Sequence, residues 1–357
     1  MNKINSIESL RGFAALVVAI YHFPSTSFLY LKYGYLGVNF FFVLSGFIIT
    51  YVYFSKINSI KDLYLFQKKR FFRVYPVHFL MIFVVLLIQI LKYFVIEYTE
   101  LPYGGKAFGD WYTLKDFILN IFLLQSIFDY GYFLSWNGVA WSISTEFYTY
   151  IIFGFILLFS KNNKIILFII LLGYLISYFV FNDQLDSLFN AVFLQCIFSF
   201  FCGSITFLIY LIIIKKIRLN DIFFLIILLS ILVYTKIFFV NKIPNLNIIF
   251  SILILSVLIL EEKSTILKIL NYKYFVLLGT VSYSFYMIHQ AFLYLYIQVL
   301  KFLIKVDFVS GTDGIVSHTG NNLYDTLITI SYLTITFLIS LLVYRFIEKK
   351  FRITANK

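Results

Sequence analysis

The stretch Glu8-Ser-Leu-Arg-Gly-Phe-Ala-Ala-Leu-Val-Val-Ala-Ile-Tyr-His22 places an arginine and a histidine eleven positions apart on an otherwise apolar helix. At helical rise, Arg11 and His22 are roughly 16 Å and about three turns apart, so they lie on nearly the same face. An ionisable residue inside a membrane span is costly and by default marks a functional site. The helix therefore carries a fixed cation near one membrane surface and a titratable base near the other. The alternative is that Arg11 anchors the helix at the headgroups and His22 caps its far end.

The composition of the whole chain is that of a membrane protein. Hydrophobic residues make up 61% of it and charged residues 13%, whereas soluble domains are roughly a quarter charged. The excess of 29 Lys and Arg over 17 Asp and Glu is ordinary for membrane proteins and does not indicate nucleic-acid binding. Cys196 and Cys202 lack the spacing of metal ligands, and we expect no metal site. We predict an all-α, polytopic membrane protein formed by one domain, residues 1–357.

Apolar stretches long enough to cross a bilayer recur from end to end. We predict ten spans, at 7–25, 36–54, 74–96, 138–160, 164–182, 187–214, 221–240, 246–260, 274–304 and 323–345. The segment 114–128 is shorter and carries Lys115, Asp116 and Asn120. If it does not cross, all the basic loops fall on one side of the membrane, and if it crosses, that segregation is lost. Ten spans with both termini cytoplasmic are therefore expected, with 114–128 lying on the outer surface or re-entering it.

A basic run stands at the predicted cytoplasmic start of the third span. Lys69-Arg70-Phe71-Phe72-Arg73 puts two guanidinium groups at i and i+3, on one helical face, with aromatic residues between them. Arginine forks bind phosphate oxygens bidentately and stack on bases, so a nucleotide-containing donor such as coenzyme A would fit there. The alternative is an ordinary basic loop that only sets the orientation of the neighbouring spans.

The stretch Trp141-Ser-Ile-Ser-Thr-Glu146 brings hydroxyl groups and a carboxylate into the outer part of the fourth span. An unpaired carboxylate there must find a partner or stay protonated. Glu146 is therefore expected to pair with an arginine or to orient His22, a purely structural ion pair being the alternative. Trp141, Ser142 and Ser144 are candidates for acceptor binding or for a polar network.

Two further spans carry polar residues near the predicted site. Asn39 lies in the glycine-punctuated stretch 34–46, where small residues permit close helix packing, and its amide could bond to His22 or to a substrate hydroxyl. In the stretch 282–289, Tyr283 and Tyr286 share a helical face, and so do Tyr286 and His289. They could form an interhelical hydrogen-bond network or contact the acceptor, whereas His318 is assigned no role.

In order along the chain, five motifs resemble the membrane acyltransferase-3 family, whose members O-acylate bacterial surface glycans. They are Arg11…His22, Gly37-Val-Asn-Phe-Phe-Phe-Val-Leu-Ser-Gly46, Arg70-Phe-Phe-Arg73, Trp141-Ser-Ile-Ser-Thr-Glu146 and Ser282-Tyr-Ser-Phe-Tyr-Met-Ile-His289. The resemblance runs to the tail, residues 344–351. Asn39 departs from the family pattern, which usually has an acidic residue there, and Lys350 stands where proline is usual. With no soluble esterase-like domain after the tenth span, the stand-alone form is expected.

The resemblance implies transfer of an acyl group, most simply acetyl, from cytoplasmic acetyl-coenzyme A to a hydroxyl of a cell-surface polysaccharide. O-antigen of lipopolysaccharide, capsule and exopolysaccharide are all possible acceptors, lipid-linked or at the surface, and the bacterial inner membrane is the expected location. Acetyl-coenzyme A is then a substrate, and no tightly bound cofactor is expected. Arg11, Arg70 and Arg73 would bind the donor. His22 would act as general base or covalent acyl acceptor, and Glu146 would hold its imidazole.

Two other classes of protein fit the same composition. A non-enzymatic flippase or transporter for lipid-linked glycans would also have many spans and scattered polar residues, and so would an O-antigen polymerase. Neither needs an acyl donor. Consumption of acetyl-coenzyme A by the purified protein separates the acyltransferase from both.

Cysteine labelling should place residues 56–73 and the C-terminus in the cytoplasm and residues 306–322 outside, because basic loops stay on the cytoplasmic side. A membrane-impermeant maleimide, applied to intact and then to permeabilised cells, distinguishes the two sides of the membrane. Labelling of a cysteine placed at 215–218 in intact cells would contradict the ten-span arrangement.

Overall fold

A computed structural model describes the chain over residues 4–23, 33–99, 106–128, 132–159, 190–237, 243–306 and 321–355, with short pieces at 173, 308–311, 314–317 and 319. The first half contains helices α1 Asn5–His22, α2 Leu36–Tyr53, α3 Ile60–Tyr98, α4 Leu114–Ile121 and, after a 3₁₀ turn at Gly138–Ala140, α5 Trp141–Phe159. The second half contains α6 Ala191–Ile213, α7 Asp221–Ile237, α8 Ile243–Leu258, α9 Thr265–Leu270, α10 Lys273–Val299, α11 Asn322–Val343 and α12 Lys349–Thr354. Wider π turns extend α10 at Leu300–Ile304 and α11 at Tyr344–Glu348. One antiparallel hairpin joins Phe308–Gly311 to Gly314–Ser317.

Among the described residues, six helices are long and apolar enough to cross a membrane. They are Leu36–Tyr53, Ile60–Tyr98, Gly138–Phe159, Ala191–Ile213, Lys273–Phe302 and Asn322–Thr354. Three more predicted spans coincide with α1, α7 and α8, and the predicted span at 164–182 lies outside the described residues. The prediction of a helical, multi-pass membrane protein is confirmed, whereas the number of spans and the side of the termini stay predictions.

Helix α3 begins well before the predicted span at 74–96. The Ser59 hydroxyl accepts a hydrogen bond from the Asp62 amide and caps the helix at Ile60. The helix then continues through Pro76 to Tyr98, 39 residues in all. The basic run 69–73 therefore lies within the helix, in agreement with the prediction that Arg70 and Arg73 share one helical face.

The ambiguous segment 114–128 contains a helix of only eight residues, Leu114–Ile121. Such a helix rises about 12 Å, whereas the hydrocarbon core is about 30 Å thick, so it cannot be a helical span. The segment packs on α5, because Ser144 Oγ donates to the Leu123 carbonyl at 2.5 Å and Tyr148 Oη to the Phe122 carbonyl at 3.1 Å. Both bonds tie it to the half of α5 that follows Trp141.

Helices α1 and α10 run parallel and approach each other backbone to backbone at two glycines. A Cβ atom on Gly279 would lie 1.8 Å from the Glu8 carbonyl oxygen, and one on Gly12 would lie 2.7 Å from the Gly279 nitrogen. No side chain fits in either place. The absence of a Cβ therefore sets the distance between these helices.

Helices α2 and α6 cross in the same way. A Cβ atom on Gly46 would lie 1.8 Å from the Phe200 carbonyl oxygen, and one on Gly203 would lie 1.8 Å from that of Val43. The glycine-punctuated stretch was expected to serve helix packing, and Gly46 does so.

Basic loops gather at the end of the bundle where α1 begins, called the basic end below. Ser9 Oγ donates to the Leu270 carbonyl at 2.5 Å, which ties α1 to the short helix α9. The Leu219 amide donates to the Ile259 carbonyl at 2.9 Å, which joins the loop after α6 to the loop after α8. The described loops after α6 and α8 therefore lie together, whereas the basic loop at 161–164 lies outside the described residues, and a common side for all the basic loops stays a prediction.

Replacing Gly279 by alanine should destabilise the protein, because the added Cβ meets backbone atoms that cannot rotate away. Overpacking of this kind costs about 1–3 kcal/mol and should lower the unfolding temperature of the detergent-purified protein, followed by tryptophan fluorescence. Gly109→Ala is the control, since its Cβ would come no closer than 3.7 Å to the Lys106 carbonyl oxygen. Equal unfolding temperatures for the two variants would contradict the close crossing of α1 and α10.

Candidate active site

An inner cavity lies between helices α1, α2, α3, α5 and α10. Its empty volume is about 770 Å³, including the part that opens outward. The polar residues that line it are Arg11, Ser45, Arg70, Arg73, Ser142, Glu146, Tyr150, Ser282, Tyr283 and Tyr286. Seven of the twelve predicted site residues are thus brought together in one place, although they come from four helices.

Glu146 is held in this cavity by two hydroxyl groups. Its Oε1 accepts hydrogen bonds from Ser45 Oγ and, at 2.5 Å, from Tyr150 Oη, which lies one turn further along α5. Its Oε2 makes no hydrogen bond to any described residue. The expectation that Glu146 orients His22 is wrong as a direct contact, because the hydrogen bonds of Glu146 go to Ser45 and Tyr150. Sequence analysis missed both hydroxyl partners.

Arg70 is surrounded by aromatic rings. Its guanidinium carbon lies 5.4 Å from the centre of the Tyr53 ring and 5.9 Å from that of Tyr150. Its Nη2 donates weakly to Tyr53 Oη at 3.4 Å, and its buried Nε finds no partner within the described part of the chain. Aromatic faces hold a cation without neutralising it. Arg70 thus has a donor atom, Nε, that remains available to an anion in the inner cavity.

Arg73 is held differently from Arg70. Its Nη1 donates to Oε1 of Glu348, a residue only 1% exposed, whose Oε2 accepts from Ser284 Oγ at 2.6 Å. Arg352 approaches the same carboxylate at 3.5 Å. Sequence analysis did not single out Glu348, although a carboxylate in a long apolar helix is itself a signal. The buried pair attaches the C-terminal segment to α3 and α10.

A second cavity, called the basic mouth below, opens at the basic end. It has an empty volume of about 870 Å³ and is lined by Glu8, Arg11, Arg73, Thr280, Tyr344, Lys349, Arg352 and Ile353. Arg11 and Arg73 line both the basic mouth and the inner cavity. The two cavities therefore adjoin, and Arg11, whose Nη1 lies 3.4 Å from Glu8 Oε1, stands at their boundary.

His22 pairs with His289. Nδ1 of His22 lies 3.3 Å from Nε2 of His289, and the ring centres are 5.1 Å apart. Each histidine lies ten residues beyond the glycine at which α1 and α10 cross, Gly12 and Gly279. Both residues were predicted to belong to the site, but their contact was not foreseen, because 267 positions separate them in sequence.

The hydrogen bonds of the pair assign its protons. His289 Nδ1 lies 2.5 Å from the Tyr286 carbonyl, which only accepts, so this nitrogen carries the proton. Nε2 of the neutral ring is then an acceptor and faces Nδ1 of His22. Nδ1 of His22 also lies 2.9 Å from the Val18 carbonyl, so it too carries a proton. The lone pair of His22 is therefore on Nε2, the atom a base or nucleophile needs.

Tyr286 connects the histidine pair to the inner cavity. Its carbonyl binds His289, while its side chain lines the cavity and its hydroxyl lies 2.9 Å from Ser142 Oγ. Tyr283, one turn earlier, also lines the cavity and donates to the Val74 carbonyl. The predicted network in this stretch of α10 is thus present in the structure.

Besides the histidine pair, three predicted residues stand outside the cavity lining. Asn39 is buried and its Oδ1 accepts from Gln195 Nε2 at 2.7 Å, so its expected bond to His22 is not made. Ser144 ties α5 to the Leu123 carbonyl, and Trp141 packs edge-on against Phe42 with ring centres 6.0 Å apart. Ser144 thus forms a hydrogen bond between α5 and the segment 114–128, and a role of Ser144 or Trp141 in acceptor binding stays a prediction. No three His, Cys, Asp or Glu side chains in the described ranges lie together as a metal ion would require.

The profile of the acyltransferase domain family matches residues 4–345, nearly the whole chain. The chain belongs to the acyltransferase-3 family. Two relatives share part of its length. The peptidoglycan O-acetyltransferase OatA of Listeria monocytogenes serovar 1/2a (strain ATCC BAA-679 / EGD-e) is 32% identical over 176 residues, which cover 47% of this chain and 27% of OatA.

The second relative is ORF330 of Acidianus two-tailed virus, whose name assigns it provisionally as an acetyltransferase. It is 28% identical over 188 residues, which cover 51% of this chain and 48% of ORF330. The matches thus span about a quarter and about half of the lengths of these relatives. No solved structure matches this acyltransferase-3 protein.

Glu348→Ala should strongly destabilise this acyltransferase-3 protein, because it leaves the buried Arg73 without its carboxylate. Breaking one side of a buried ion pair typically costs about 3–5 kcal/mol. The unfolding temperature of the detergent-purified variant measures the loss. The double variant Glu348→Ala with Arg73→Ala should recover part of it, since the uncompensated charge is gone. Additive losses in the double variant would contradict the pairing.

Proposed function

We propose that the protein transfers an acetyl group from cytoplasmic acetyl-coenzyme A to a hydroxyl of a cell-surface polysaccharide. The observation that carries the proposal is that three sites follow one another along α1 and α10: the basic mouth, the inner cavity and the histidine pair. The basic mouth meets the inner cavity at Arg11 and Arg73, and the cavity meets the histidine pair at Tyr286. Such a line connects a donor on one side of a membrane to an acceptor on the other.

The donor would enter from the basic end, which is the cytoplasmic side if the positive-inside rule holds for this chain. Coenzyme A is polyanionic, and guanidinium groups bind phosphate oxygens well. Arg70 supports this use, because it forms no ion pair with a carboxylate of the described residues. Arg11 and Arg73 place guanidinium groups at the boundary through which the thioester arm must pass. Membership of the acyltransferase-3 family supports an acyl donor over the flippase and polymerase alternatives.

The acceptor would approach from the end of the bundle that holds His22. As general base, His22 Nε2 takes the proton of the acceptor hydroxyl while the hydroxyl oxygen forms a bond to the thioester carbonyl carbon. The carbon–sulfur bond then breaks, and the departing thiolate is protonated to give free coenzyme A. As covalent acceptor, the same Nε2 attacks the thioester carbonyl carbon and expels the thiolate, which leaves an acetyl-imidazole; the acceptor hydroxyl then attacks the acetyl carbon, the carbon–nitrogen bond to His22 breaks, and the freed imidazole takes the hydroxyl proton. Both schemes use one lone pair, the one left free by the bond to His289.

The relatives bear on the class of acceptor. The Listeria relative is named for acetylation of peptidoglycan, which supports this polymer as a candidate acceptor beside O-antigen, capsule and exopolysaccharide. All four present sugar hydroxyls outside the inner membrane. Comparing the surface glycans of deletion and wild-type cells by mass spectrometry and NMR identifies the acetylated one.

His22→Ala should reduce release of coenzyme A and acetylation of glycan by about a hundredfold or more, with normal membrane insertion, because it removes the base or nucleophile. His289→Ala should lower kcat while leaving KM for acetyl-coenzyme A unchanged. His289→Gln should restore part of kcat, since its amide oxygen can accept from His22 Nδ1. Purified protein in lipid nanodiscs, a thiol-reactive dye for free coenzyme A and mass spectrometry of an added glycan give these values.

His318→Ala is the control, because His318 is assigned no role and lies outside the described residues. A trapped acetyl group on His22 after rapid quenching would select the covalent scheme. Wild-type protein that does not consume acetyl-coenzyme A would contradict the proposed function and favour a flippase, transporter or polymerase.

A further inference from the structure

We propose that Lys349 and Arg352, in the C-terminal helix α12, bind phosphate groups of the donor nucleotide. The proposal rests on the proposed function and adds a part of the donor site that Arg11, Arg70 and Arg73 do not supply. Both residues line the basic mouth. They stand at i and i+3, so they share one face of α12.

The basic mouth has a net positive charge, which favours binding of an anion. Its lining includes four cations, Arg11, Arg73, Lys349 and Arg352. Two carboxylates oppose them, Glu8 beside Arg11 and the buried Glu348 beside Arg73 and Arg352. The balance is two positive charges in a cavity at the end of the bundle. Lys349 is exposed and forms no ion pair with any described residue, so it contributes a full charge.

The buried carboxylate also fixes where these cations stand. Glu348 is anchored between Arg73 and Ser284, inside the bundle, and is followed directly by Lys349. Arg352 lies one turn further on and reaches back to the same carboxylate at 3.5 Å. The tail is therefore attached at a defined point, and its basic face is held at the mouth.

The neighbouring cavities match the two parts of coenzyme A. Its nucleotide carries three phosphate groups, whereas its pantetheine arm is narrow, flexible and uncharged. The basic mouth begins at Thr280 and the inner cavity reaches Tyr286, six residues or about 9 Å further along α10. A nucleotide in the basic mouth would thus direct the arm past Arg11 and Arg73 toward the histidine pair.

The adjacent Lys350 provides a matched control. Its Nζ lies 5.8 Å from the Phe346 ring centre, and it is not part of the lining of the basic mouth. Replacing Lys350 removes the same charge from the same short helix without touching the proposed site. A difference between Lys349 and Lys350 variants therefore reports position and not overall charge.

The test is steady-state kinetics of the full chain in phosphatidylcholine nanodiscs with two donors, acetyl-coenzyme A and acetyl-pantetheine, which lacks the phosphates. Lys349→Gln with Arg352→Gln should raise KM for acetyl-coenzyme A about tenfold or more, the effect of losing charged hydrogen bonds, with kcat retained. KM for acetyl-pantetheine should stay unchanged. Lys350→Gln should leave both values at the wild-type level, and adenosine 3′,5′-diphosphate should inhibit the double variant less than the wild type.

Three results would overturn the proposal while leaving the proposed function intact. An unchanged KM for acetyl-coenzyme A in the double variant would place the phosphates elsewhere. Equal increases for both donors would indicate a structural role for the tail. An effect seen only in nanodiscs containing phosphatidylglycerol would assign the two residues to lipid headgroups. Wild-type protein without activity toward acetyl-coenzyme A would instead contradict the proposed function itself.

Discussion

The contact between Gly12 and Gly279 sets the geometry on which the rest of the site depends. Two parallel helices that touch at their backbones have the same rise per residue, so they keep their register. Ten residues beyond this crossing, α1 presents His22 and α10 presents His289, and the two rings meet. At the crossing itself, Arg11 and Thr280 flank the glycines and line the basic mouth. One close approach therefore positions both ends of the candidate active site.

The three arginines predicted to bind a donor illustrate three ways of holding a cation in an apolar bundle. Arg11 has an acidic neighbour one turn away, Arg73 has a buried carboxylate from the far end of the chain, and Arg70 has aromatic rings. Only in the third arrangement does the arginine form no ion pair with a described carboxylate. Residues of the same type in one motif thus differ in what they offer a ligand, and the difference comes from partners outside the motif.

Much of this arrangement could be predicted from local patterns. Helical periodicity put Arg11 and His22 on one face, and apolar length placed the described spans within a few residues, except that α3 starts fourteen residues before its prediction. The partners could not be predicted, because they depend on long-range packing. Periodicity within α1 carries no information about His289, and nothing near Arg73 indicates Glu348. The expected contact between Glu146 and His22 is absent for the same reason: the hydroxyl groups of Ser45 and Tyr150 donate to the Glu146 carboxylate instead.

The buried pair of Arg73 and Glu348 has a consequence for how the chain is made. Arg73 leaves the ribosome 275 residues before the carboxylate that neutralises it. Throughout that interval the growing bundle holds a guanidinium group whose final counter-ion does not yet exist, a costly state within lipid. The last helices to be inserted therefore complete the electrostatics of the earlier ones. Chains cut short before Glu348 would keep every preceding span yet lack the carboxylate that pairs with Arg73.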